Sequence, residues 1–184
     1  MPRISIVRAI PLALLIVTQA NAENVTELWV ARYGGPIDYS YEQAAAMAVD
    51  RDGNVYVTGE SSTECEDHDF VTVKYDKKGR ELWVARFDGP ALPEGPCNNS
   101  PSGIVLDRAG NAYVTGWCRG EDGDYDYLTI KYDALGDELW ARRYDGGQNL
   151  NDRARAIGLD AHENVVVTGG INESRGFATI KYDS

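Results

Sequence analysis

The same run of short segments is written three times along this chain. The first copy reads ELWVARY (27–33), AMAVDRDGNVYVTGE (46–60) and FVTVKYD (70–76). The second reads ELWVARF (81–87), GIVLDRAGNAYVTGW (103–117) and YLTIKYD (127–133). The third reads ELWARRY (138–144), AIGLDAHENVVVTGG (156–170) and FATIKYD (177–183). A unit repeated at a fixed period cannot bury its apolar face alone. It stacks on its neighbours, and the period sets the fold.

Within one copy, AMAVD, NVYVTG, FVTVKYD and ELWVARY are short and rich in Val, Tyr, Trp and Thr, which is strand composition and strand length. No segment sustains a 3.6-residue apolar period. The joints between strands are regular too. Asp50-x-x-Gly53, Asp76-x-x-Gly79, Asp107-x-x-Gly110 and Asp133-x-x-Gly136 each stand between two strands. An Asp at the first turn position caps local N–H groups, and a Gly three residues on supplies positive φ. These predict tight hairpins. The fifth turn, Asp160-x-x-Glu163, puts Glu where Gly is expected. Asp50-Arg51-Asp52-Gly53-Asn54 looks like part of an EF-hand, but it lacks the remaining ligands and the terminal Glu, and strands flank it.

A repeat therefore holds four strands: a small-residue inner strand a, then b, c and the ELW strand d. Antiparallel units of four strands are the blades of β-propellers. Trp29, Trp83 and Trp140 recur at one position of strand d, where a large ring would fill the wide outer gap between neighbouring blades. The combination of GNVYVTG, TVKYD and ELWVARY resembles the seven-bladed β-propeller repeat (SBBP repeat) family over residues 27–183. That resemblance implies a propeller architecture on secreted or surface proteins of bacteria and archaea. It implies no agreed activity, and no catalytic residue is carried over from it. The Arg142-Arg143 pair and Glu163 depart from the pattern of the other copies.

The expected fold is all-β: three four-stranded antiparallel repeats (27–80, 81–137, 138–184) in the order d-abc, within a domain spanning 23–184. Propellers have about four to eight blades, so three blades' worth of strands do not close a ring comfortably. Two solutions are expected. Either two chains form a six-bladed ring, each donating Glu27–Tyr33 to the other by strand exchange, or the chain is a truncated remnant of a larger surface propeller.

Residues 1–22 read as a secretory signal peptide. Arg3 and Arg8 precede the apolar run Ala9–Thr18, and Ala20-Asn21-Ala22 is a small-x-small cleavage site. The run is shorter than the roughly 20 residues that a spanning helix needs. The expected location is outside the cytoplasm, extracellular or periplasmic. The signal carries two Arg and no acid, so its removal takes the net charge from −11 to −13. Such a surface repels nucleic acid and anionic lipid and suits cations or basic partners.

Strand direction puts the b–c and d–a loops on one face and the tight hairpins on the other. The loop face is variable and acidic, which makes it the expected binding face for a protein or glycan not identified by sequence. Asp122-Gly123-Asp124-Tyr125-Asp126 has the alternating oxygens of a calcium loop, so Asp122, Asp124 and Asp126 are a weak Ca²⁺ candidate. Tyr127 and Asp133 stand where an EF-hand needs Gly and Glu. Cys97 and Cys118 fall at neighbouring strand ends on this face, and they are favoured over Cys65–Cys97 as the one disulfide. No other cofactor is expected. His68 and His162 lie apart, and no nucleophile–base motif is visible, so the expected role is non-catalytic. A hydrolase or lyase using loop carboxylates is the alternative.

Overall fold

The computed structural model describes residues 25–35, 40–62, 68–89, 98–120, 122–147, 150–172 and 175–183. The signal segment 1–22, Cys65 and Cys97 lie outside the described residues. Three antiparallel sheets account for the strands. Blade 1 runs β1 (Glu42–Val49), β2 (Val55–Ser62), β3 (His68–Tyr75), β4 (Glu81–Phe87), each paired to the next. Blade 2 runs β5 (Asn99–Leu106), β6 (Ala112–Arg119), β7 (Tyr125–Tyr132), β8 (Glu138–Tyr144) in the same order. Blade 3 has β9 (Arg153–Leu159), β10 (Val165–Ile171) and β11 (Gly176–Tyr182). There is no helix among the described residues.

The hairpins form by the chemistry their sequence announces. In the first, Asp50 Oδ1 accepts the N–H groups of Asp52 and Asn54, both at 2.9 Å, and Gly53 takes φ 83°. Asp76, Asp133 and Asp160 repeat the arrangement, and Asp107 Oδ1 accepts the N–H of Asn111. Glu163 adopts φ 66°, so the odd turn keeps the geometry at a cost of about 1–2 kcal/mol. The glycine of each TG pair answers a different demand. A β-bulge brings the inner strand close, and a Cβ at Gly59 would lie 2.9 Å from Ala44 Cα.

Blades join face to face. Tyr56 and Phe70 of blade 1 pack with Val114, Leu128, Ile130 and Tyr132 of blade 2. Tyr113 and Tyr127 of blade 2 pack with Ala154, Val165 and Val167 of blade 3. The tryptophans sit where the outer gap opens. The Trp83 indole lies over Gly136, 2.8 Å from where a Cβ would stand, and its Nε1 donates to Ala134 O at 3.1 Å. Lys74 Nζ donates to the same carbonyl at 3.1 Å while lying over the Tyr56 ring.

One expected strand differs. Residues 27–33 read as strand d, yet 25–35 join no ladder, so eleven strands form among the described residues and blade 3 has three. The physical reason is the absence of an edge beside it. The segment lies on the outer face of blade 1, where Ala31 and Tyr33 cover Val71, Val73 and Tyr75. The Trp29 ring sits over Gly79 as Trp83 sits over Gly136. It occupies the place of a preceding blade's outer strand without that blade's ladder.

Candidate functional site

The loop face is built at the seams between blades, where the end of one ELW strand meets the first strand of the next blade. At the first seam, Asp69 at the start of β3 is buried, and the Arg86 guanidinium of β4 bonds it at 2.8 Å. Arg86 also donates to Ser61 Oγ at 2.7 Å and to Tyr33 Oη at 3.2 Å. Burial pushes the Asp69 carboxyl up to about 6, with Asp88 adding to the rise and Arg86 opposing it. Asn99 Nδ2 reaches across the seam to Asp88 O at 3.4 Å.

The second seam repeats the plan with more acid. Asp126 in β7 is buried and paired with Arg143 of β8. Burial raises its carboxyl, and Arg143 opposes that rise. Asp152 takes the place of Asn99. Its Oδ1 accepts Asn172 N–H at 2.7 Å and its Oδ2 accepts Gly146 N–H. Carboxylate oxygens of Asp126, Asp145 and Asp152 lie within 4.8 Å of one another. Beside them, burial and then the neighbouring Asp122 push Asp124 up to about 6. Asp122 itself is lowered, its neighbour Asp124 being the largest cause.

The carboxylates of the two faces differ in their partners. On the hairpin face, the turn aspartates are held by backbone N–H groups, as Asp50 and Asp107 show. On the loop face, both oxygens of Asp124, Oδ1 of Asp126 and Oδ1 of Asp69 are buried without a hydrogen-bond partner. Buried polar atoms are otherwise almost always paired. Such oxygens can receive a hard cation or an ammonium or guanidinium group. One cation-receptive feature is already filled: Arg153 lies 4.9 Å from the centres of both the Trp117 and Tyr125 rings.

The structure thus divides the Ca²⁺ candidate predicted from sequence. Asp122 and Asp124 sit in the loop before β7, while Asp126 is inside the strand and groups with Asp145 and Asp152. Sequence reading missed Asp145 and Asp152, although the repeated RFDG (86–89) and RYDG (143–146) placed Asp88 and Asp145 at one position. A carboxyl raised to about 6 is also a mark of catalytic acids. Here the same Asp–Arg pair occurs at both seams, which fits a clasp between strands. Cys118 is buried in β6 opposite Asn99; its predicted partner Cys97 lies outside the described residues.

Comparison with known proteins agrees with this architecture. The beta-propeller repeat family (SBBP) matches residues 28–63. Residues 28–63 therefore match a beta-propeller repeat, and the three antiparallel sheets are consistent with propeller blades. The chain is also 25% identical over 132 residues to an uncharacterized WD repeat-containing protein of Acanthamoeba polyphaga mimivirus. That match covers 66% of this chain but only 9% of the viral protein. The matched repeat includes residues 28–35, which join no sheet, together with β1 and β2.

Proposed function

We propose that this repeat protein is an exported, non-catalytic binding module that presents its acidic loop face to a cationic group on a partner. The observation that carries the reading is the set of buried, unpartnered carboxylate oxygens on Asp69, Asp124 and Asp126. Repeat folds use variable loops on a rigid scaffold for recognition, and these are the loops in question. The formal charge of −11 favours basic ligands over nucleic acid or anionic lipid. Export is supported by the signal-like residues 1–22.

The test is titration with an oligolysine peptide and, separately, with Ca²⁺, comparing wild type with Asp122→Asn/Asp124→Asn/Asp126→Asn. The expected result is salt-sensitive binding of at least one probe by the wild type and its loss in the triple variant. Failure of both probes to bind, or equal binding by both proteins, would remove the loop face from consideration.

A further inference from the structure

Two surfaces of this molecule carry the marks of a seam that is not closed. The first is the outer face of blade 3. Phe70, Tyr127 and Phe177 occupy one position of the repeat. Phe70 and Tyr127 are 0% exposed, each beneath the following blade, whereas Phe177 is 81% exposed. The hydroxyl pairs Thr58–Thr72 and Thr115–Thr129 are buried in the same seams, and their counterpart Thr168–Thr179 is open. Blade 3 therefore turns outward the face that the other two blades bury.

The second surface is the far side of blade 1. A cavity of about 280 Å³ opens there, lined by Tyr33, Ala44, Val57, Gly59, Val71 and Tyr75 among others. Gly59 holds the repeat position of Gly116. A Cβ at Gly116 would lie 2.7 Å from Phe70 Cζ, so the ring of the preceding blade rests on that glycine. By the same geometry, the cavity over Gly59 is the seat for the ring of a blade that precedes blade 1.

The backbone agrees. Residues 28–33 alternate as a strand does, with Trp29, Ala31 and Tyr33 turned toward blade 1 and Leu28, Val30 and Arg32 outward. The segment nevertheless has no ladder. Its sequence, ELWVARY, differs only in its last residue from the ELWVARF that pairs with β3. Strand β11, FATIKYD, resembles β7, YLTIKYD, which does hold an ELW strand. Among the described residues β11 pairs with β10 alone. Both halves of a known pairing are thus present, each with an open edge among the described residues.

We propose that two copies of this chain associate head to tail into one closed ring, β11 of each pairing with residues 29–33 of the other. Each N-terminal segment stays on its own blade 1 and offers its free edge, so the contact is strand addition, with no exchange of an element between cores. Phe177 of one copy enters the cavity over Gly59 of the other. The register follows from Thr72 opposite Ala85 and Lys74 opposite Trp83: Thr179 faces Ala31, and Lys181 faces Trp29. A two-fold axis relates the two seams, which leaves no open edge of this kind. Gly176 stands where Asp69 and Asp126 stand in the other repeats, so these seams lack the arginine clasp and rest on the ladder and the aromatic contact. The proposal is independent of the acidic-face reading.

Light scattering after size exclusion tests it. The wild type should elute with twice the chain mass. Phe177→Asp should raise the monomer–dimer midpoint about a hundred-fold or more, because each dimer loses two buried rings. Its circular dichroism should be unchanged, since the side chain is exposed within one copy. As a second measurement, Ala31→Cys copies mixed with Thr179→Cys copies should form a reducible cross-linked pair that neither variant forms alone. A monomeric wild type overturns the proposal. So does a mass that keeps growing with concentration, the mark of open stacking, or a dimer that ignores Phe177→Asp and does not cross-link at this register.

Discussion

Replacing Gly136 by Ala tests how the tryptophans lock the blades. Gly136 has φ 95°, and a Cβ there would meet the Trp83 ring at 2.8 Å. Two costs follow. The left-handed backbone costs a non-glycine residue about 1–2 kcal/mol. Forcing a methyl group into the indole adds overpacking of about 1–3 kcal/mol. The expected loss is therefore about 2–5 kcal/mol, a large part of a typical domain's stability. Gly110→Ala is the control. Its φ is 84°, but its Cβ would meet only Ala134 Cβ and Tyr56 Oη, both at 3.7 Å, which is ordinary contact. It should lose only the backbone cost of about 1–2 kcal/mol. Urea unfolding of both variants with unchanged m-values measures the difference. Equal losses within about 0.5 kcal/mol would refute the seating of Trp83 on Gly136 as a restraint between blades.

Other outcomes follow from the same contacts. Gly79→Ala meets the Trp29 ring at 2.8 Å, but Trp29 rides on an unpaired segment. In the Phe177→Asp background it should cost no more than Gly110→Ala, as urea unfolding would show. Arg86→Met strips the counter-charge from buried Asp69, and urea unfolding at pH 7 should register a loss of about 3 kcal/mol. That loss should shrink in acid as Asp69 takes a proton. The Asp124 carboxyl is raised to about 6 in the folded state, so between about pH 4 and 6 the native state holds a proton that the unfolded chain releases. Wild-type stability relative to Asp124→Asn should therefore fall as pH rises through that window and level off above it. Parallel denaturation curves at several pH values check the sign, and a relative stability that rises with pH would contradict it.

The hairpins and blades were legible because their signals are local. Asp50 and Gly53 need only each other and the intervening backbone, and the same holds at Asp160, where Glu163 was forced into positive φ by the turn around it. The acidic site was less legible because it is made across seams. Asp126 looked like a loop ligand by spacing, but the strand began at Tyr125 and drew it into the interior, where Arg143 meets it. Asp152 lies 26 residues further along the chain, and only the packing of blade 3 against blade 2 brings it within reach. Spacing along one segment cannot report on such a pairing.

Glu27–Tyr33 sharpens the point. Its sequence specifies a strand as clearly as ELWVARF does, and its side chains already alternate as a strand's do. What it lacks is a property of another strand's position: an unpaired N–H and C=O edge running beside it. A strand is thus a relation between two segments, and sequence names only the member that is willing to enter it. At β4 and β8 the second member lies within the same chain, and the ladder forms. At residues 27–33 the only matching edge among the described residues is that of β11, which is also unpaired. The exposed Phe177 and the cavity over Gly59 flank those same two edges, so backbone, packing and repeat pattern all point to one missing contact.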